Sequence, residues 1–142
     1  MRTGSFMAAL GAVLLLVPAL SANAFPDLTP QPYRGVATTD GDKDSAQVFL
    51  GSGKTANKAA EHARKMCYQE SGAVCKAIGF KVGNWYAVVT CNMNGSWITH
   101  LAAGAYRKEA IRQAREVAGN FQNDDDDSVC VVVQTGNTGN AD

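Results

Sequence analysis

Residues 33–82 and 85–134 are one unit written twice. Sliding the chain by 51 positions sets Leu50 on Leu101, Gly53 on Gly104, Ala59 on Ala110, Ala63 on Ala114 and Arg64 on Arg115. Each half then reaches a cysteine that opens an apolar run, Cys75-Lys76-Ala77-Ile78 and Cys130-Val131-Val132-Val133. The second half is four residues longer before that point, the size of the Asp124–Asp127 run. An insertion confined to a charged loop leaves a shared core untouched.

The local patterns give each half the same order. Gly35–Thr38 and Ala46–Leu50 flank the turn residues Asp40-Gly41-Asp42, and Trp85–Cys91 and Ser96–Ala102 flank Met93-Asn94-Gly95. Asn-Gly between apolar runs is the strongest short hairpin signal, because both residues tolerate positive φ. A helix follows each hairpin. The first is capped by Thr55 and runs to about Glu70, with Ala56, Ala59, Ala60, Ala63 and Cys67 on one face. The second spans about Tyr106 to Phe121, with Ala110, Ile111, Ala114, Val117, Ala118 and Phe121 as its stripe. Both stripes follow the 3.6-residue period. Strands over 75–82 and 128–134 close the halves. The order β-β-α-β, twice, predicts an α+β domain: one antiparallel-rich sheet of six strands with both helices packed on one face. Neither half buries its sheet alone, so the halves are expected to share a core.

The N-terminus carries Arg2, an apolar run from Phe6 to Leu20, and Ala22-Asn23-Ala24. Those are the three parts of a cleavable secretory signal. The run contains Pro18 and is shorter than the roughly 20 apolar residues of a membrane span, so no transmembrane anchor is expected. Residues 1–24 are read as the signal, 25–134 as a single domain of two repeats, and 135–142, polar and rich in Gly and Asn, as a disordered tail. Without Arg2, the basic side chains fall one short of the 13 acidic ones. That near-neutral balance gives no polyanion-binding signal.

The four cysteines, Cys67, Cys75, Cys91 and Cys130, lie beyond the signal. An even count in an exported chain reads as disulfides, with three connectivities open. Cys67 ends the first helix and Cys75 opens the next strand, so chain reversal favours Cys67–Cys75. Cys91 with Cys130 remains, tying the second hairpin to the last strand. The placement is periplasmic or secreted.

Chemical motifs are incomplete. Gly51-Ser52-Gly53-Lys54-Thr55 imitates the end of a phosphate-binding loop, but Val48 stands where its first glycine belongs. The same stretch with Lys58-Ala59-Ala60 resembles the last helix of a double-stranded-RNA-binding domain; the neutral charge and the signal argue against nucleic acid. Asp40-x-Asp42-x-Asp44 starts like a calcium loop, yet Ser45 and Gly51 replace its glycine and glutamate. Asp124–Asp127 has no partner ligands in sequence. His62 and His100 belong to no nucleophile, zinc or cysteine–histidine motif. No catalytic residue, cofactor or metal is assigned. Trp85, Tyr86 and Trp97 on the second hairpin are the candidate partner-binding residues, since aromatic anchors dominate protein interfaces.

Tyr33-Arg34-Gly35-Val36-Ala37, the alanine-rich helix from Ala59-Ala60 through Ala63 to Cys67, and Cys75-Lys76-Ala77-Ile78 resemble a bacterial family of small exported proteins. That family carries a duplicated, cysteine-containing domain of unknown function, in mycobacterial and proteobacterial secreted proteins. The resemblance covers residues 33–134. Ala118 replaces the second helix cysteine, and Cys91 ends the strand that the family's cysteine precedes, so no disulfide pairing is transferred; nor does the family supply catalytic residues. The expected function is a non-enzymatic, disulfide-stabilised module that engages a protein partner in the cell envelope, inhibitor- or immunity-like. The alternatives are a small periplasmic hydrolase with its site between the repeats and a cell-wall-associated structural protein.

Overall fold

Thr55 stops the strand before it and starts a helix: its Oγ1 accepts the Lys58 N–H at 3.2 Å, as an N-cap does. In the computed structural model, which describes residues 30–119 and 130–139, that helix is α1 (Ala56–Ser71), ended by Gly72 at φ +70°. Helix α2 (Arg107–Val117) begins without a side-chain cap on Tyr106. Instead Glu109 reaches back one turn and accepts the Ala105 N–H at 2.9 Å. The second helix ends at Val117, four residues before the expected Phe121, which lies outside the described residues, as do the signal (1–24) and Asp124–Asp127.

Among the described residues six strands accompany the helices: β1 (Tyr33–Thr38), β2 (Val48–Gly53), β3 (Lys76–Lys81), β4 (Trp85–Met93), β5 (Ser96–Gly104) and β6 (Cys130–Asn137). The order β-β-α-β, twice, is as expected. The single sheet is not. The strands form two three-stranded antiparallel sheets, ordered β2-β1-β3 and β5-β4-β6. The helices also do not share a face. Ala59, Ala63 and Cys67 of α1 pack on the first sheet, and Ala110 and Ala114 of α2 on the second. The other faces meet in a third cluster: Val36 and Phe80 from the first sheet, Tyr86, Val88 and Leu101 from the second. The layers run α1, sheet, sheet, α2.

The reason lies in strands that are apolar on both faces. Side chains alternate across a strand, yet Tyr86 to Cys91 is buried at every position. One face takes a helix; the other needs an apolar cover, and only the opposite repeat supplies it. The halves do share a core, as sheet against sheet.

Helix α1 lies close because the strand positions beneath it are small. A Cβ on Gly35 would sit 2.0 Å from the Ala59 carbonyl oxygen, and one on Gly51 2.5 Å from the Ala63 amide nitrogen. The repeat offset varies along the chain. It is 51 for Gly53 and Gly104, but 52 for Tyr33 and Trp85, their partners across each hairpin. The extra residue is absorbed between β1 and β2. The second hairpin turns on Asn94 (φ +52°) and Gly95 (φ +87°), the paired positive φ that Asn-Gly predicts. The first has no tight turn. Residues 39–47 leave the sheet and dock on the second repeat, where Thr90 Oγ1 donates to the Gly41 carbonyl.

Cys67 is joined to Cys75, and Cys91 to Cys130. Cys91 and Cys130 are direct cross-strand partners. The last strand runs to Asn137, past the expected boundary at 134. Gly136 accounts for part of this: the Tyr86 ring covers it, and the Tyr86 hydroxyl accepts from Gln134 Nε2 at 2.7 Å. A β-bulge falls opposite Val88 and Val89.

Candidate functional site

Stacking two sheets leaves edge strands, and edges carry unpaired backbone groups. On β5 the outward backbone groups of Thr99 are engaged by the first repeat. Its N–H donates to Asp40 Oδ1 at 2.8 Å, and its carbonyl accepts from Lys76 Nζ at 3.0 Å. Asp40 and Lys76 pair at 2.9 Å, and Thr99 Oγ1 donates to the Thr39 carbonyl. Partial burial alone would raise the Asp40 pKa, but the Thr99 N–H and the Lys76 ammonium outweigh it and hold the carboxyl below its ordinary value. This cluster is a clamp between repeats.

His100 lies next to Thr99. Its Nε2 is buried without a hydrogen-bond partner among the described residues. Burial, then the Lys76 charge, lower its pKa, against a smaller opposing pull from Asp40.

The opposite edge, β2, is open. His62 on α1 reaches over it: Nδ1 lies 3.2 Å from the Ser52 N–H and 3.1 Å from the Ser52 carbonyl oxygen. Unprotonated, Nδ1 accepts from the N–H; protonated, it donates to the carbonyl. Both backbone groups of Ser52 thus face away from β1. Alternation in an antiparallel ladder turns those of Leu50 and Val48 the same way. No hydrogen bond among the described residues takes the outward groups of Leu50, whose side chain is 48 % exposed.

Along this edge runs a groove of about 530 Å³, lined by Arg34, Leu50, Ser52, His62 and Met66, and closed at one end by Asn137 and Thr138 of the second repeat. Arg34 is half-buried on β1, opposite Ser52. Among the described residues it has no ion-pair partner. A hydrolase would need a base with an orienting acid in a deep pocket. Here His62 keeps company with Arg34 and Ser52, and no carboxylate among the described residues lines the groove.

The aromatic candidates are not gathered. Tyr86 is 3 % exposed and its ring is tilted against that of Phe80, with centroids 6.0 Å apart, so it is a core residue. Trp85 packs against the cluster under α2. Trp97 is half-buried near the start of β5, opposite Asn92. Arg34, Leu50 and Ser52 were not singled out by the sequence. Their signal is positional: an arginine and a leucine on neighbouring strands matter only once β2 is known to be an edge.

Gly51 to Gly53 end β2 and Lys54-Thr55 turn the chain into α1, with Thr55 spent on the cap. Asp42 Oδ1 accepts from the Asp44 and Ser45 N–H groups and the Ser45 hydroxyl, an Asx-type loop closure. No helix among the described residues is long and apolar enough to cross a membrane. Comparison with protein-family models, curated proteins and solved structures gives no match.

Proposed function

We propose that this chain is an exported, disulfide-stabilised binding module that engages a protein partner in the cell envelope. The observation that carries the reading is the groove on β2: outward backbone groups, an exposed leucine and an arginine with no ion-pair partner among the described residues lie side by side. Such a surface offers a polypeptide hydrogen bonds, apolar contact and charge together. Two disulfides fit an oxidising compartment, and the signal-like N-terminus fits the route to it. The resemblance to exported proteins of unknown function points to the same compartment and brings no ligand with it.

The test is affinity capture from periplasmic extract with the oxidised protein as bait. One envelope protein should be retained specifically, and lost when the bait is reduced and unfolded. Retention on isolated peptidoglycan with no protein captured would favour a cell-wall structural role and contradict the proposal.

A further inference from the structure

Resting on the reading of the chain as a binding module, we infer that the β2 groove takes an extended, acidic peptide segment of its partner as an added strand. Three features converge. The outward N–H and carbonyl of Leu50 form one pairing site of an antiparallel or parallel ladder, and those of Val48 the next. His62 occupies the following site, at Ser52, so the added strand ends there. Arg34 supplies the charge. It is partly desolvated, has no counter-ion among the described residues, and is separated from the edge only by the small Ser52 side chain. A carboxylate in the groove gives its guanidinium the paired hydrogen bonds it is shaped for.

The register follows from the two-residue alternation of strands. Leu50 and Ser52 lie on the same face of β2, and Arg34 lies beside Ser52. The peptide therefore carries an apolar side chain against Leu50 and, two residues away on the same face, Asp or Glu toward Arg34. The recognised pattern is an apolar and an acidic residue spaced i, i+2 in an extended segment. Asn137 and Thr138 face that acidic end from the second repeat, so an intact two-repeat molecule is required.

The experiment uses fluorescein-labelled extended hexapeptides of alternating threonine and valine, with Glu two positions from one valine. The controls are the same peptides with Gln for Glu, and with the backbone amide facing Leu50 N-methylated. Full-length oxidised protein is titrated by anisotropy at low salt, and Leu50 amide exchange is read by NMR. The Glu peptide should bind about tenfold more tightly than the Gln peptide, a difference of about 1.4 kcal/mol. Arg34→Gln should abolish that ratio while leaving the melting temperature unchanged. N-methylation should weaken binding by a further factor of about ten, and the Leu50 N–H should become protected only when the unmethylated peptide is bound. Failure of every peptide to bind, equal binding of Glu and Gln peptides, or a ratio that survives in Arg34→Gln overturns the inference. So does a concentration-dependent dimer that Leu50→Pro dissolves, which would make a second copy the occupant. Capture of an envelope protein equally well by wild type and Arg34→Gln would refute the groove while sparing the module. Capture of nothing would refute the module, and the peptide titration would still decide the groove.

Discussion

At the scale of single residues, Gly35 shows what the close packing of α1 demands. The atoms that a Cβ would strike are backbone atoms of Ala59, and only a shift of the whole helix relieves them. Gly35→Ala should cost about 3 kcal/mol in urea unfolding; a loss below 1 kcal/mol would mean that α1 does not lie where described. The paired titrations of His100 and Asp40 act in one direction. The His100 pKa is depressed from 6.5 in the folded state. The unfolded chain then binds more protons across that window, and stability is lost as pH falls from about 6.5 toward the lowered value. Asp40, held below 3.8, contributes stability that is present above 3.8 and disappears as pH drops through its lowered pKa. Urea midpoints should therefore decline in two stages on acidification. His100→Gln should flatten the stage just below neutrality, and Asp40→Asn the stage below pH 4. A variant that leaves its own stage unchanged would contradict the assigned cause. The same residues show what a sequence conceals. His100 and Asp40 are 60 positions apart, and nothing in either neighbourhood announces that Thr99 brings them together.

Among the elements, the two disulfides do unequal work. Cys91–Cys130 spans 39 residues and Cys67–Cys75 only 8. Loop-closure entropy assigns them about 4 and about 2.5 kcal/mol. Paired alanine variants should follow that order in unfolding free energy, and a reversed order would show that the last strand is held mainly by its ladder. The helices, hairpins and disulfide partners were legible because each rests on local signals: the alanine stripe, the Thr55 cap, Asn94-Gly95, and the chain reversal between Cys67 and Cys75. The number of sheets was not. Both one sheet and two satisfy β-β-α-β twice, and the deciding cue was the unbroken apolar run Tyr86–Val89, which marks a strand buried on both faces. Tyr86, one of the aromatic candidates on that hairpin, belongs to the core that the second face creates. The first hairpin loop was read as a simple tip because its docking on Thr90 is a contact between distant parts of the chain.

For the molecule as a whole, duplication solves a burial problem. A three-stranded sheet with one helix leaves an apolar face bare, and two copies set back to back cover each other. Burying side chains such as Val36, Val88 and Leu101 stabilises by about 1.5–3 kcal/mol each, so the shared layer is a main source of stability and neither repeat is expected to fold alone. The arrangement also sorts the edges: β5 is clamped by Asp40 and Lys76 from the other repeat, while on β2 no hydrogen bond among the described residues takes the outward groups of Leu50 beside Arg34. The candidate site is thus a consequence of the stacking, and it stands or falls with it. Methyl-resolved NOE spectroscopy on the oxidised protein tests the stacking most directly. The account predicts cross-peaks from the Val36 methyls to those of Val88 and Leu101, and none between the Ala59 or Ala63 methyls and those of Ala110 or Ala114. Cross-peaks between the two sets of helix alanines, with Val36 silent toward the second repeat, would put both helices on one face and contradict it.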